Sequence, residues 1–266
     1  MSISQSLRCA QLCAFIRMPI NGSIPVDDAC QFITRSNSQC SVFVEINHEK
    51  REATGRLGME TCSETSIRRV DTIVKLDFSL LSIIRYTCKK NDCDIEFLNN
   101  LLERARNIPL VNRNLTEENI GDLIYNTTLG TSPTSCNSSA PPCSANEICE
   151  GQFDIEDISN DISINRYSNI TCYNPSRDDY LLNIRQNYGS NNTQTIKMTF
   201  RCKFDNCVNP TNAKEIYEWL EPNFINETFN FFDSDEDCMS IESTGTSFFI
   251  LSYRLINIVI IFLLFY

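Results

Sequence analysis

The sequence predicts a small disulfide-rich α+β fold. We expect two tandem modules, each a small antiparallel β-sheet closed by C-x4-C and followed by one helix, with a hydrophobic helix at the C-terminus. Three observations carry this expectation. The chain of 266 residues holds 14 cysteines. Those cysteines fall into two similar halves, and the last residues are almost wholly apolar. Repeats are sought first because a missed repeat misreads the whole fold.

The first half contains Cys9, Cys13, Cys30, Cys40, Cys62, Cys88 and Cys93; the second contains Cys136, Cys143, Cys149, Cys172, Cys202, Cys207 and Cys238. The step from Cys40 to Cys62 is 22 residues and that from Cys149 to Cys172 is 23; the next steps are 26 and 30. Each half then closes with C-x4-C. Tyr86-Thr-Cys88-Lys and Phe200-Arg-Cys202-Lys share an aromatic residue two places before the cysteine and a lysine just after it.

Strands are expected where apolar and polar residues alternate with a period of two. Val70, Thr72, Val74, Leu76 and Phe78 alternate with Asp71, Lys75 and Asp77, and Ile196, Met198, Phe200 and Cys202 alternate with Lys197, Thr199 and Arg201. Val42, Val44 and Ile46 follow Cys40, and Phe153 and Ile155 follow Cys149, in the same pattern. Helices are expected after each C-x4-C. Ile95, Leu98, Leu101, Leu102 and Ala105 share one helical face, and Ala213, Ile216, Trp219 and Leu220 share another. Sheets this small bury little apolar area, so cross-links are needed to hold them.

The expected organisation is a first module over 1–107, a glycosylated linker over 108–135, a second module over 136–232, an acidic stalk over 233–247 and a hydrophobic anchor over 248–266. The stretch from Leu129 to Pro142 is rich in Ser, Thr and Pro, which favours a semi-extended spacer. The run from Asp233 to Asp237 lacks the spaced ligands and glycine of an EF-hand and reads as a solvated stalk.

Compartment follows from the cysteines. A reducing cytosol would leave 14 thiols free, whereas an oxidising compartment pairs them. Zinc is disfavoured because C-x2-C is absent and the only histidine is His48. Asn21, Asn114, Asn126, Asn137, Asn169, Asn191 and Asn226 each begin an N-glycosylation sequon. The 19 residues from Phe248 to Tyr266 are broken only by Ser252, Arg254 and Asn257, and as a helix they reach across a bilayer core of about 30 Å. With small residues at Ser243, Thr244 and Gly245, the tail reads first as a glycolipid-attachment signal, with Ser243 as the attachment candidate, and second as a transmembrane helix. The segment from Met1 to Ile20 carries Arg8 and Arg17 and no long apolar run, so it does not read as a signal peptide. A missing first exon, a mature start with an added Met and a tail-anchored cytosolic protein stay open; the cysteines and sequons oppose the last.

The C-x4-C closures, each preceded by a strand and by cysteines 20–30 residues apart, resemble the end of a Ly6/uPAR three-finger domain. That family is often tandem and glycolipid-anchored, and its closing cysteines bond to each other. The resemblance implies the bridges Cys88–Cys93 and Cys202–Cys207. Where the family has a cysteine doublet, Thr87 and Arg201 stand here, and Asp94 and Val208 follow the closing cysteines where the family has Asn. If all pairing is internal to the modules, Cys13 to Cys93 and Cys136 to Cys207 supply six cysteines each, and Cys9 and Cys238 fall outside.

The net charge of −11 without Lys/Arg clusters argues against nucleic acid as a partner. No catalytic residue, cofactor-binding residue or metal ligand is assigned. His48 reads as an exposed turn histidine rather than a general base, because no nucleophile motif accompanies it. Trp219 reads as core. The expected function is a membrane-tethered, extracellular binding module whose ligand is a protein or a glycan. The alternative is a secreted inhibitor or toxin-like ligand, and an enzyme comes third.

Overall fold

The computed structural model describes residues 6–22, 30–62, 67–108, 113–125, 135–136, 142–144, 146–158, 161–166, 170–175, 180–189 and 194–220. All lie within residues 1–236, and residues 237–266 lie outside the described residues. The described part is mostly β, with twelve strands and three helices.

The strands are β1 (Ser6–Gln11), β2 (Cys13–Pro19), β3 (Gln31–Ser36), β4 (Ser38–Asn47), β5 (Glu52–Thr61), β6 (Arg68–Lys75) and β7 (Leu80–Cys88) in the first half. The second half supplies β8 (Ile148–Ile158), β9 (Asp161–Arg166), β10 (Thr171–Tyr173), β11 (Tyr180–Tyr188) and β12 (Gln194–Cys202). The helices are α1 (Cys93–Asn107), α2 (Arg113–Tyr125) and α3 (Pro210–Leu220). Strands β1 and β3 form a separate two-stranded ribbon. The remaining ten strands form a single sheet in the order β10-β8-β12-β11-β6-β7-β4-β5-β2, with β9 also paired to β8.

The alternation expected from sequence builds the inner face of this sheet. Val42, Val44, Ile46, Val70, Val74, Ile84, Phe153, Ile155, Met198 and Phe200 are all buried. Helix α1 packs against β4 and β7 from that side, where Phe97 stacks on Tyr86 with ring centroids 4.0 Å apart. Its buried face includes Leu98, Leu101, Leu102 and Ala105 as expected, but Phe97 takes the core place expected of Ile95. On α3 the buried residues are Ala213, Ile216, Tyr217 and Leu220, and Trp219 is half-buried. Buried residues of both halves belong to one hydrophobic cluster.

The two halves meet where β6 pairs antiparallel with β11. Asn183 faces Ile73, Ile184 faces Thr72, Arg185 faces Asp71, Gln186 faces Val70 and Asn187 faces Arg69. Cys88 and Cys202 are 114 residues apart, and so are Cys93 and Cys207, Val70 and Ile184, and Asp71 and Arg185. That offset maps Asp71 onto Arg185, so this pair lies at the centre of the exchange between the halves. The order outward from the join is β6-β7-β4-β5 on one side and β11-β12-β8, with β9 and β10 on β8, on the other.

Residues 113–125 differ from the semi-extended spacer expected there. They form α2, which buries Thr116, Ile120, Gly121 and Ile124. Tertiary contacts hold it. Tyr125 meets Phe78 edge-on at 5.8 Å, Arg113 reaches Asp77 at 3.1 Å, and the N–H of Lys203 donates to the carbonyl of Ile124.

All thirteen cysteines among the described residues are in disulfides. The bridges are Cys9–Cys40, Cys13–Cys30, Cys88–Cys93, Cys136–Cys149, Cys143–Cys172 and Cys202–Cys207. Cys9, expected to fall outside the internal pairing, thus bonds to Cys40, and the expected six in the first half are completed without Cys62. Cys62 is itself disulfide-bonded, and Cys238 lies outside the described residues. Cys40 and Cys88 are cross-strand neighbours, as are Cys149 and Cys202, so each half carries two bridges side by side at one end of its sheet.

Candidate functional site

Most residues singled out from sequence serve the scaffold. The sulfurs of Cys40, Cys88 and Cys93 lie close together, as do those of Cys136, Cys143 and Cys172, but all six are in disulfides and offer no thiolate. Of the sequon asparagines, Asn21 and Asn114 are exposed; Asn126, Asn137, Asn169, Asn191 and Asn226 lie outside the described residues. Ser243, the acidic run and the apolar tail also lie outside them. No helix among the described residues is long and apolar enough to cross a membrane.

His48 corrects the expectation of an exposed turn residue. It is 4% exposed, directly after β4, and its N–H donates to the carbonyl of Leu80. Its Nε2 lies 2.8 Å from the hydroxyl of Ser82, which is fully buried. Burial, with help from the Arg51 charge, lowers its pKa from 6.5 to about 4. A His–Ser contact of this length is the geometry of a base and its nucleophile. Neither group is accessible, however, so the pair satisfies two polar groups beneath β7 instead.

Ion pairs occupy two further places, one that the family resemblance gives to a cysteine and one that sequence left unassigned. Arg201 lies between the rings of Tyr173 and Tyr180, at 3.7 and 4.1 Å, and donates to Glu150 at 2.6 Å. Asp71 accepts from the Nε of Arg69 at 2.6 Å and of Arg185 at 2.8 Å. Arg201 and Asp71 are buried charges satisfied by these partners, an arrangement that serves the scaffold.

The face of the sheet turned away from α1 carries a cluster of side chains that sequence reasoning missed. Phe43 on β4 stands directly opposite Arg56 on β5 and Arg85 on β7, and Arg85 stands opposite Arg69 on β6. A transverse row, Arg56–Phe43–Arg85–Arg69, therefore crosses four strands. The guanidinium carbons of Arg56 and Arg85 lie 5.9 and 5.7 Å from the Phe43 ring centroid, within cation–π range. The adjacent row is Gly58–Ser41–Thr87, all small residues. A step from large to small side chains leaves a cleft of about 260 Å³, bounded also by Ile67 and by Glu60. Arg69 is neutralised by Asp71, whereas Arg56 and Arg85 are exposed and have no carboxylate partner among the described residues. Period-two alternation shows that Phe43, Arg56 and Arg85 share a face parity, but nothing local says that the three strands are neighbours in this register.

No family model, no curated protein and no solved structure matches this chain.

Proposed function

We propose that this chain is an extracellular, membrane-tethered, cysteine-rich glycoprotein that acts as a binding or recognition module. One observation carries the reading: every cysteine among the described residues is disulfide-bonded. Pairing on that scale belongs to an oxidising compartment. The exposure of Asn21 and Asn114 is compatible with glycans at both. A stapled sheet with one open face is a rigid platform of the kind that carries recognition residues.

Within this reading the halves are two tandem modules descended from one repeat, joined edge to edge through β6 and β11. The matching strand order outward from the join, β6-β7-β4-β5 and β11-β12-β8-β9, and the 114-residue spacing of the C-x4-C closures support that. We place the modules as divergent relatives of the Ly6/uPAR three-finger class on the strength of their C-x4-C closures. The tether is a glycolipid joined to the new carboxyl terminus at Ser243, as residues 244–266 with their apolar tail are cleaved off. A protein or glycan ligand then meets the open face.

The test is expression in a secretory host with surface labelling of intact cells. Glycosidase treatment lowers the apparent mass, N21Q and N114Q each remove one glycan, and phosphatidylinositol-specific phospholipase C releases the chain. Free thiols in the native protein, or no glycan on any sequon, would overturn the proposal.

A further inference from the structure

We propose that the cleft over Gly58, Ser41 and Thr87 binds a single acidic sugar ring, with Arg56 and Arg85 grasping its carboxylate or sulfate. This deepens the recognition reading above and rests on it. Arg56 and Arg85 project from strands on either side of β4, about 9.5 Å apart at the backbone given normal strand spacing. They flank the Phe43 ring, and no carboxylate among the described residues pairs with either. Each guanidinium offers a planar fork suited to an oxyanion. The Ser41 hydroxyl offers a polar contact on the floor, and the Phe43 ring an apolar one.

The size and surroundings of the cleft select the ligand class. About 260 Å³ falls below the ~300–1,000 Å³ of sites that enclose drug-sized ligands. One ring fits, and a helix does not. Along the Phe43 row β5, β4 and β7 are each paired on both sides, and only the short stretch of β5 beyond Leu57 lacks a ladder partner on its β2 side, too little edge for an extended peptide to add as a strand. The net charge of −11 opposes long polyanions at a distance while leaving one short anionic terminus a local pair of cations. Glu60 on the rim adds a carboxylate that rejects a ring carrying a second acid on that side.

The experiment uses the secreted, disulfide-intact chain and ligand-observed NMR with three probes: N-acetylneuraminic acid, galactose 6-sulfate and galactose. Retention of disulfides and glycans is measured on the same sample, so failure of the extracellular reading is seen separately from failure of ring binding. The acidic sugars are expected to bind with an affinity that falls as salt rises, and galactose not to bind. R56A/R85A is expected to lose about 10–100-fold in affinity, the range for hydrogen bonds to a charged group. Equal binding of galactose, no binding of either acidic sugar, or unchanged binding by R56A/R85A overturns the proposal. So does stronger binding of an acidic peptide than of the acidic sugars.

Discussion

The Asp71→Ala substitution tests whether the two halves form one structure. The Asp71 side chain is 4% exposed and accepts charge-assisted hydrogen bonds from Arg69 at 2.6 Å and Arg185 at 2.8 Å. Each such bond contributes roughly 1.5–3 kcal/mol when fully buried. Arg69 and Arg185 keep 25% and 41% of their side-chain exposure, so water replaces part of what they lose. A net cost of about 2–3 kcal/mol for D71A, and about 1 kcal/mol for R185A, follows once that screening is allowed for. In a domain of this size each 1 kcal/mol shifts Tm by about 2–4 °C, so D71A lowers it by about 5–10 °C. The assay is thermal and urea unfolding of the disulfide-intact chain, with D71A/R185A completing a double-mutant cycle. Coupling of about 1 kcal/mol and one shared transition are expected. Coupling below about 0.3 kcal/mol, or two separate transitions of which D71A moves only one, would refute an edge-to-edge sheet.

Other outcomes follow from the same geometry. An added Cβ at Gly55 would sit 2.5 Å from the carbonyl oxygen of Phe43 and 2.6 Å from the Phe15 ring, whereas at Gly58 it would meet only the Ser41 hydroxyl at 3.2 Å. G55A should therefore cost about 1–3 kcal/mol in urea unfolding, and G58A should stay within about 0.5 kcal/mol of the parent. His48 ionises at about 4 when folded against 6.5 ordinarily. Its stabilising contribution is complete above pH 6.5 and is lost as pH falls toward 4, by roughly 3 kcal/mol. H48Q should flatten the stability profile between those values; an unchanged slope would show that other groups cause it. Cys9–Cys40 closes a loop over a sequence separation of 31 and Cys88–Cys93 one over 5. C9A/C40A should cost about 4 kcal/mol and C88A/C93A about 2 kcal/mol, on loop entropy. Equal costs would place the main effect in the folded state.

Much of the scaffold was legible because its signals are local. The alternation around Val42, Val74 and Met198 requires only that one face be dry, and the helical stripe through Leu98 to Ala105 requires only a packed side. The misread parts depend on distant partners. Helix α2 contains Asn114, Asn119 and Gly121, weak helix formers whose local preference suits a turn. Contacts from Phe78, Asp77 and Lys203 override it. His48 follows a strand in a polar tetrapeptide, and only the placement of β7 above it turns that turn into core. The Arg56–Phe43–Arg85 cleft needs three registers at once, and no window of sequence contains them all.

The β6–β11 join also shapes how the chain is made. Strand β6 is complete about 110 residues before β11 leaves the ribosome, a delay of roughly 5–25 s at ordinary synthesis rates. During it the first half can oxidise its three internal bridges and fold with β6 as a naked edge. The charges of Arg68, Arg69, Asp71 and Lys75 on that strand discourage indiscriminate pairing. They do not exclude the β11 of another nascent copy, which presents the same complementary arginine. Slow delivery of the second half therefore has a specific by-product, an exchanged dimer rather than a shapeless aggregate, and its yield should rise with expression level and with any lengthening of the interval between the two halves.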